Sequence, residues 1–249
     1  MKHQDSGDQQ QVPRPERGML KHTASPYGKS ELGTALECFG PREGPVDLLL
    51  LAAMHGDETV TTVVLSEALR CVPEHAVKNP AVLAVNPDGM MRGTRCNARG
   101  VDLNRNWPAS NWSSQPVYHR QHGGGVRDIR LGTGEAAGSE PETRALLSLV
   151  QRLRPKAIIS LHTPLGCIDD PQGSELAHWI SREVKLPVVR DVGYSTPGSF
   201  GSWCAEQDIP ILTWELPAEP VTRLLASHVP VLYRLITGQF GARPGPGGS

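Results

Sequence analysis

His55 and Glu58 form an H-x-x-E pair directly after the apolar run Val46–Ala53. An imidazole nitrogen and a carboxylate oxygen are both zinc ligands, and a catalytic zinc needs a third protein ligand and an open position. Gly56 lies between the two, where the chain must turn sharply for both side chains to reach one ion. His162, at the end of Ile158-Ile159-Ser160-Leu161-His162, is the expected third ligand. Glu215, in Thr213-Trp214-Glu215-Leu216-Pro217, is an acid between apolar residues, and its expected role is that of a general base taking a proton from the attacking water. A second group lies in Gly100–Pro108, where Asn104 and Arg105 are adjacent and Arg92 and Arg95 stand just upstream. A guanidinium fork with an amide beside it suits a free carboxylate. An arginine nearer the reacting carbonyl would stabilise an oxyanion, and on residue type alone both Arg92 and Arg95 fit. The remaining histidines (His3, His22, His75, His119, His122, His178 and His228) fall in tails, loops or helices without such context, and most are expected on the surface.

These residues need elements to position them. Val46–Ala53 reads as a buried strand. Asp57–Arg70 reads as a helix, with Val60, Val63, Val64 and Ala68 at helical spacing. Ala81–Asn86 is a second strand, and from Pro87 to about Gly138 little is periodic. Ser139-Glu140-Pro141-Glu142 has capping-box spacing and opens a helix to about Arg154. Strands are predicted over Lys156–Leu161 and Ile209–Trp214. Helices are predicted over Gly173–Val184, Ser199–Gln207 and Glu219–Ile236, the last kinked or broken at Pro230. Strands alternating with helices predict an α/β fold: one domain, with a mostly parallel mixed sheet flanked by helices. His55 with Glu58, His162 and Glu215 each follow the carboxyl end of a predicted strand, so the sheet brings them to one rim, where open α/β sheets bind ligands.

Composition narrows the function. The chain has 249 residues, with 25 Lys and Arg against 26 Asp and Glu and a formal net charge of −1. That length suits one α/β domain, and the charge balance argues against nucleic acid as a partner. The 5 cysteines are scattered without a C-x-x-C pair, which is neither a disulfide framework nor a structural zinc site and fits a reducing compartment. Residues 1–18 are Gln-rich and charged and are expected to be a disordered tail. They carry no apolar segment of the secretory kind. The catalytic domain is expected over 19–240, and the Gly/Pro-rich 241–249 as a flexible tail. No apolar run approaches the ~20 residues of a membrane span, so a cytoplasmic protein without a membrane partner is expected.

Together H-x-x-E at His55/Glu58, N-P-D-G at Asn86–Gly89, D-L-N-R-N at Asp102–Asn106, His162 and Glu215 resemble the zinc metallocarboxypeptidases of the carboxypeptidase A type, peptidase family M14, whose His₂Glu zinc site is established. The match in order and spacing covers most of the chain. The resemblance implies one Zn²⁺ per chain held by His55, Glu58 and His162, with Glu215 as base. It also implies Arg95, rather than Arg92, as oxyanion stabiliser, Asn104 and Arg105 as a clamp for the substrate's terminal carboxylate, and Tyr194 as a tyrosine on a mobile loop. Within the family the likeness runs to bacterial enzymes acting on murein peptides. It is carried by Tyr27–Ser30, Gly138–Thr143, Cys167–Pro171 and Gly193–Trp203, and it implies hydrolysis of a γ-D-glutamyl–meso-diaminopimelate bond.

Diaminopimelate carries an extra ammonium and carboxylate on its side chain, so its pocket needs an acid. Asp169 and Asp170, shortly after His162, are expected to supply it. Two other readings stand beside this one: an N-acyl amino acid deacylase of the aspartoacylase or succinylglutamate desuccinylase kind, and a non-catalytic peptide-binding protein. The Asp102–Pro108 and Gly198–Trp203 stretches lean to the peptidase. Oligomeric state is not encoded legibly, and a homodimer stays open.

Overall fold

A computed structural model describes residues 20–121, 127–191 and 193–240. The expected tails, and with them His3 and His122, lie outside those residues. In order, the chain forms β1 (Ala24–Lys29), β2 (Ala35–Phe39), β3 (Leu48–Leu51), α1 (Thr59–Cys71), β4 (Ala81–Val82), α2 (Pro87–Arg92), β5 (Val117–Gln121), β6 (Arg127–Leu131), α3 (Pro141–Leu153), β7 (Ala157–His162), β8 (Leu165–Asp169), α4 (Glu175–Val184), β9 (Val188–Val189), α5 (Phe200–Glu206), β10 (Ile211–Pro217) and α6 (Val221–Ile236). The main sheet has the order β1-β2-β4-β3-β7-β10-β8-β9, while β5 and β6 make a separate antiparallel hairpin. The centre, β4-β3-β7-β10, is parallel, with antiparallel pairs at β1–β2, β2–β4 and β10–β8.

The four leucines of β3 show why the centre is parallel and doubly covered. None is more than 5 % exposed. Side chains alternate across a strand, so Leu48 and Leu50 join the apolar layer with Val64, Leu65, Leu224 and Leu232. Leu49 and Leu51 join the opposite layer, with Leu146, Val150, Phe200 and Trp203. An apolar run without alternation is what a strand buried on both faces requires, and each leucine so buried contributes about 1.5–3 kcal/mol.

Several expectations are corrected. The strand expected over Ala81–Asn86 is only Ala81–Val82, and Asn86 caps α2 instead. Its Oδ1 accepts from Gly89 N at 2.9 Å, with Pro87 in the first turn. The aperiodic stretch holds α2, a 3₁₀ turn at Leu103–Arg105 and the β5–β6 hairpin. The capping box does not form. Ser139 Oγ instead donates to Glu140 Oε1 at 2.6 Å, and Glu142 accepts from Glu31 N at 3.0 Å and Asn97 Nδ2 at 3.2 Å. Pro230 lies inside α6, which runs on through it. His22 and His228 are buried. The His228 ring meets Trp214 edge-on with centroids 5.4 Å apart, and burial lowers its pKa to about 4. Among the described residues no helix is long and apolar enough to cross a membrane. None of the five cysteines forms a disulfide among the described residues, and Cys38, Cys71, Cys167 and Cys204 are buried.

Candidate active site

The first two candidate ligands are thrown off the end of β3. Ala53 has φ 49°, in the left-handed region that costs a residue with a Cβ about 1–2 kcal/mol. Two hydrogen bonds hold it there: Ala53 N donates to Thr61 Oγ1 at 3.0 Å, and Asn86 N donates to Ala53 O at 2.9 Å. His55 follows, and Glu58 takes the N-cap position of α1. Gly56 serves a different need from the one its turn-forming habit suggests. A Cβ there would stand 2.2 Å from the Gly89 carbonyl carbon, and Gly56 N donates to Arg95 O at 3.1 Å. The missing side chain lets the α2–Arg95 segment pack against the ligand turn.

His162 is the last residue of β7, and in the parallel register it stands beside Glu215 of β10. Glu215 lies within its strand rather than beyond it, because β10 continues to Pro217 to pair with β8. His55, Glu58 and His162 are buried and converge, each offering a ligand atom within 4.8 Å of the others. His55 Nδ1 is 2.8 Å from Glu58 Oε1, His162 Nδ1 is 3.0 Å from Glu58 Oε2, and the two Nδ1 atoms are 3.1 Å apart. Ligands about 2.0–2.1 Å from a tetrahedral zinc stand roughly 3.3 Å from each other. Two ring nitrogens turned on one another gain nothing unless something is held between them. The outer nitrogens are supported separately: His162 Nε2 is 3.1 Å from Ser160 Oγ, and His55 Nε2 is 3.3 Å from Asp102 Oδ1, an ion-pair contact rather than an aligned hydrogen bond. Such outer partners place the proton on Nε2 and leave Nδ1 for a metal. The three residues therefore fit a zinc ion.

Charge at the site is tightly coupled. Burial and Arg95 push the His55 imidazole down, but Glu58 and Asp102 outweigh them and raise it to about 9. Burial works against the Glu58 carboxylate, yet His55 and His162 hold it well below its ordinary value. Burial raises the Glu215 carboxyl, only partly offset by His162.

Asp102 is the residue that the sequence reading quoted inside D-L-N-R-N but left without a role. Fully buried, it caps the 3₁₀ turn by accepting from Asn104 N at 2.8 Å, takes Arg95 Nε at 3.0 Å and faces His55. We expect Asp102→Asn to lower zinc affinity roughly 10- to 100-fold. An amide cannot accept on both ends, so either His55 or Arg95 loses its orientation. Competition against a chelator of known affinity measures it.

Around this cluster opens a cleft of about 420 Å³, lined by Arg95, Asn104, Arg105, His119, Asp169, Tyr194, Phe200, Thr213 and Glu215 among others. Arg95 is also 3.5 Å from Glu58 through Nη1. Arg92 points elsewhere, donating to Asp88 O at 3.0 Å, and it does not line the cleft. Asn104 Oδ1 accepts from Phe200 N at 2.9 Å, which fixes the amide. Arg105 Nε is buried without a partner, and burial lowers the guanidinium's pKa. An unmatched donor of that kind is what an anionic ligand would satisfy. Just beyond them Trp107 stacks on Phe200 at 4.1 Å, and Trp107 N donates to Gly198 O at 2.9 Å, tying this loop to the start of α5. Tyr194, 56 % exposed, reaches the field of Glu215 and Arg105.

Asp169 lines the cleft, its carboxyl raised by burial and by Asp170. Asp170 does not. Its carboxylate is consumed by Gln172 N at 3.0 Å, Ser174 N at 2.8 Å and Ser174 Oγ at 2.6 Å, closing the turn into α4. Sequence adjacency misled here because β8 ends at Asp169 and Asp170 already belongs to the turn that leads into α4. His119, expected on the surface, is a cleft residue; nothing in the sequence said which way the β5–β6 hairpin would fold.

The zinc carboxypeptidase family, peptidase M14, matches residues 40–168. A relative named murein peptide amidase A from Escherichia coli is 47 % identical over 207 residues, 82 % of this chain and 86 % of that protein. One of the same name from Vibrio campbellii is 42 % identical over 227 residues, 90 % of this chain and 92 % of that one. The crystal structure of murein-tripeptide amidase MpaA from Escherichia coli O157 superposes with a TM-score of 0.87 at 40 % identity, covering 95 % of this chain and 99 % of that one. By sequence and by architecture this chain belongs to the zinc carboxypeptidase family, peptidase family M14.

Proposed function

We propose that the chain is a zinc-dependent murein peptide amidase that hydrolyses the γ-D-glutamyl–meso-diaminopimelate bond of murein tripeptide in peptidoglycan turnover. The observation that carries this reading is the convergence of His55, Glu58 and His162 at the head of a cleft that also holds Glu215, Asn104 and Arg105. The names of the relatives point to the same substrate.

His55, Glu58 and His162 would hold one Zn²⁺ per chain. Bound there, zinc supplies Lewis acidity that acidifies water and polarises the scissile carbonyl. Glu215 takes the proton of the attacking water onto a carboxylate oxygen and returns it to the leaving amine. A carboxyl whose pKa is raised by burial is suited to both halves of that transfer. Arg95, held by Asp102 and Glu58, faces the oxygen on which charge develops. Asn104 and Arg105 take the terminal carboxylate of diaminopimelate, and Tyr194 covers the bound peptide from the rim. Asp169 receives the side-chain ammonium. A cytoplasmic setting accompanies this reading, since cysteines without disulfides suit a reducing compartment.

Mass spectrometry of the products from L-Ala-γ-D-Glu-meso-diaminopimelate tests the reading. L-Ala-D-Glu and free diaminopimelate are expected, and a chelator should abolish both. Intact tripeptide after incubation with zinc-loaded protein would refute it. The two aspartates should separate cleanly. Asp169→Asn raises KM for the tripeptide roughly tenfold with a stable fold, because one charged hydrogen bond is lost. Asp170→Asn leaves KM alone and costs about 1–2 kcal/mol in urea unfolding, because its turn contacts weaken.

A further inference from the structure

His119 sits in the middle of β5, opposite Ile129 of β6. Strand alternation sends its neighbour Tyr118 outward, 68 % exposed, and turns the His119 side chain into the cleft wall with Arg95 and Glu58. The hairpin is rooted in the loop carrying the catalytic arginine. Gly132 N donates to Gly100 O at 3.0 Å, Asp102 N donates to Gly132 O at 2.9 Å, and Trp112 Nε1 donates to Thr133 O at 3.2 Å. The imidazole is therefore placed relative to Arg95 by backbone bonds. The charges that act on it most are Arg95, His55, Asp102 and Glu58, which sets it at the metal end of the cleft. Asp169 and Thr213, one register pair on β8 and β10, also line the cleft.

A γ-linked glutamyl residue brings an anion that an ordinary α-linked peptide lacks: its free α-carboxylate, on the acyl side of the scissile bond. In the proposed assignment Arg105 and Asn104 are taken by the terminal carboxylate, and Arg95 is held by Asp102 and Glu58. Among the described residues lining the cleft, the only other basic side chain, apart from the two histidines of the triad, is His119; burial and Arg95 lower its pKa, so it meets the anion as an N–H donor.

We propose that His119 determines specificity on the acyl side, its imidazole N–H donating to the α-carboxylate of the γ-linked glutamyl residue. This rests on the murein peptide reading and refines it. The test compares zinc-loaded wild type, His119→Ala and His119→Arg on L-Ala-γ-D-Glu-meso-diaminopimelate and on the analogue whose glutamyl α-carboxylate is a carboxamide. The wild type should prefer the free acid by roughly tenfold in kcat/KM, the worth of one hydrogen bond to a charged group. His119→Ala should bring that ratio to near one, mainly through KM for the acid, and His119→Arg should keep the preference. An unchanged ratio in His119→Ala, or an equal fall on both peptides, would overturn the proposal. A wild type that cleaves neither peptide would overturn the amidase reading and this inference with it.

Discussion

Glu215→Gln is expected to lower kcat on the murein tripeptide by about 10²- to 10⁴-fold, the range for a lost general base, while zinc content stays as in the wild type. The glutamine keeps the shape and the acceptor for Leu165 N, which donates to Glu215 Oε2 at 3.3 Å. It cannot take a proton. Because Glu215 is not one of the three converging ligands, the metal should be retained, and in the proposed assignment Arg95, Asn104 and Arg105 should still bind substrate. The expected loss is therefore in kcat with KM little changed. Steady-state kinetics with metal analysis on the same sample checks this. A large rise in KM, or loss of zinc, would mean that the carboxylate holds substrate or metal instead.

Glu58→Gln should act the other way, through the metal. Glu58 lies between His55 and His162 and also touches Arg95. Breaking a buried charged cluster costs about 3–5 kcal/mol, which as zinc affinity is roughly a 10²- to 10⁴-fold loss. The variant should emerge from dialysis without zinc and without activity, and high zinc should restore part of the activity. The pH dependence carries a second signature. In the metal-free protein His55 is raised from 6.5 to about 9, partly by Glu58. That raised pKa stabilises the metal-free fold below the ordinary histidine value, and the contribution fades as pH climbs through about 9. Zinc must displace the same proton, so wild-type affinity should climb over that interval. Removing the Glu58 charge lowers the His55 pKa and flattens the climb. Isothermal titration at several pH values measures both effects.

Much of this site was legible in the sequence because its parts follow strong, local signals. Leu48–Leu51 and Ala157–His162 are apolar runs that can only be central strands, and a parallel pair brings His162 to the rim beside the turn after β3. What escaped was set by tertiary contact. β1, with Pro26 and Gly28 at a bulge, has no strand-like alternation; it pairs because β2 buries Leu36 and Cys38 against the core. The Ser139–Glu142 box gave way because Asn97 and Glu31 claim the Glu142 carboxylate. Asp170 looked like a pocket acid until the turn into α4 claimed both its carboxylate oxygens. Asp102 and His119 share one lesson. A residue type announces what chemistry it can do, but the partner that gives it a task arrives from a distant loop.

The most direct test of the whole account is a zinc titration of the metal-free enzyme followed by its hydrolysis of murein tripeptide. The site built from His55, Glu58 and His162 predicts activity rising linearly and levelling at one equivalent of zinc per chain. Activity that is already full in the metal-free protein, or that is indifferent to added zinc, would contradict it.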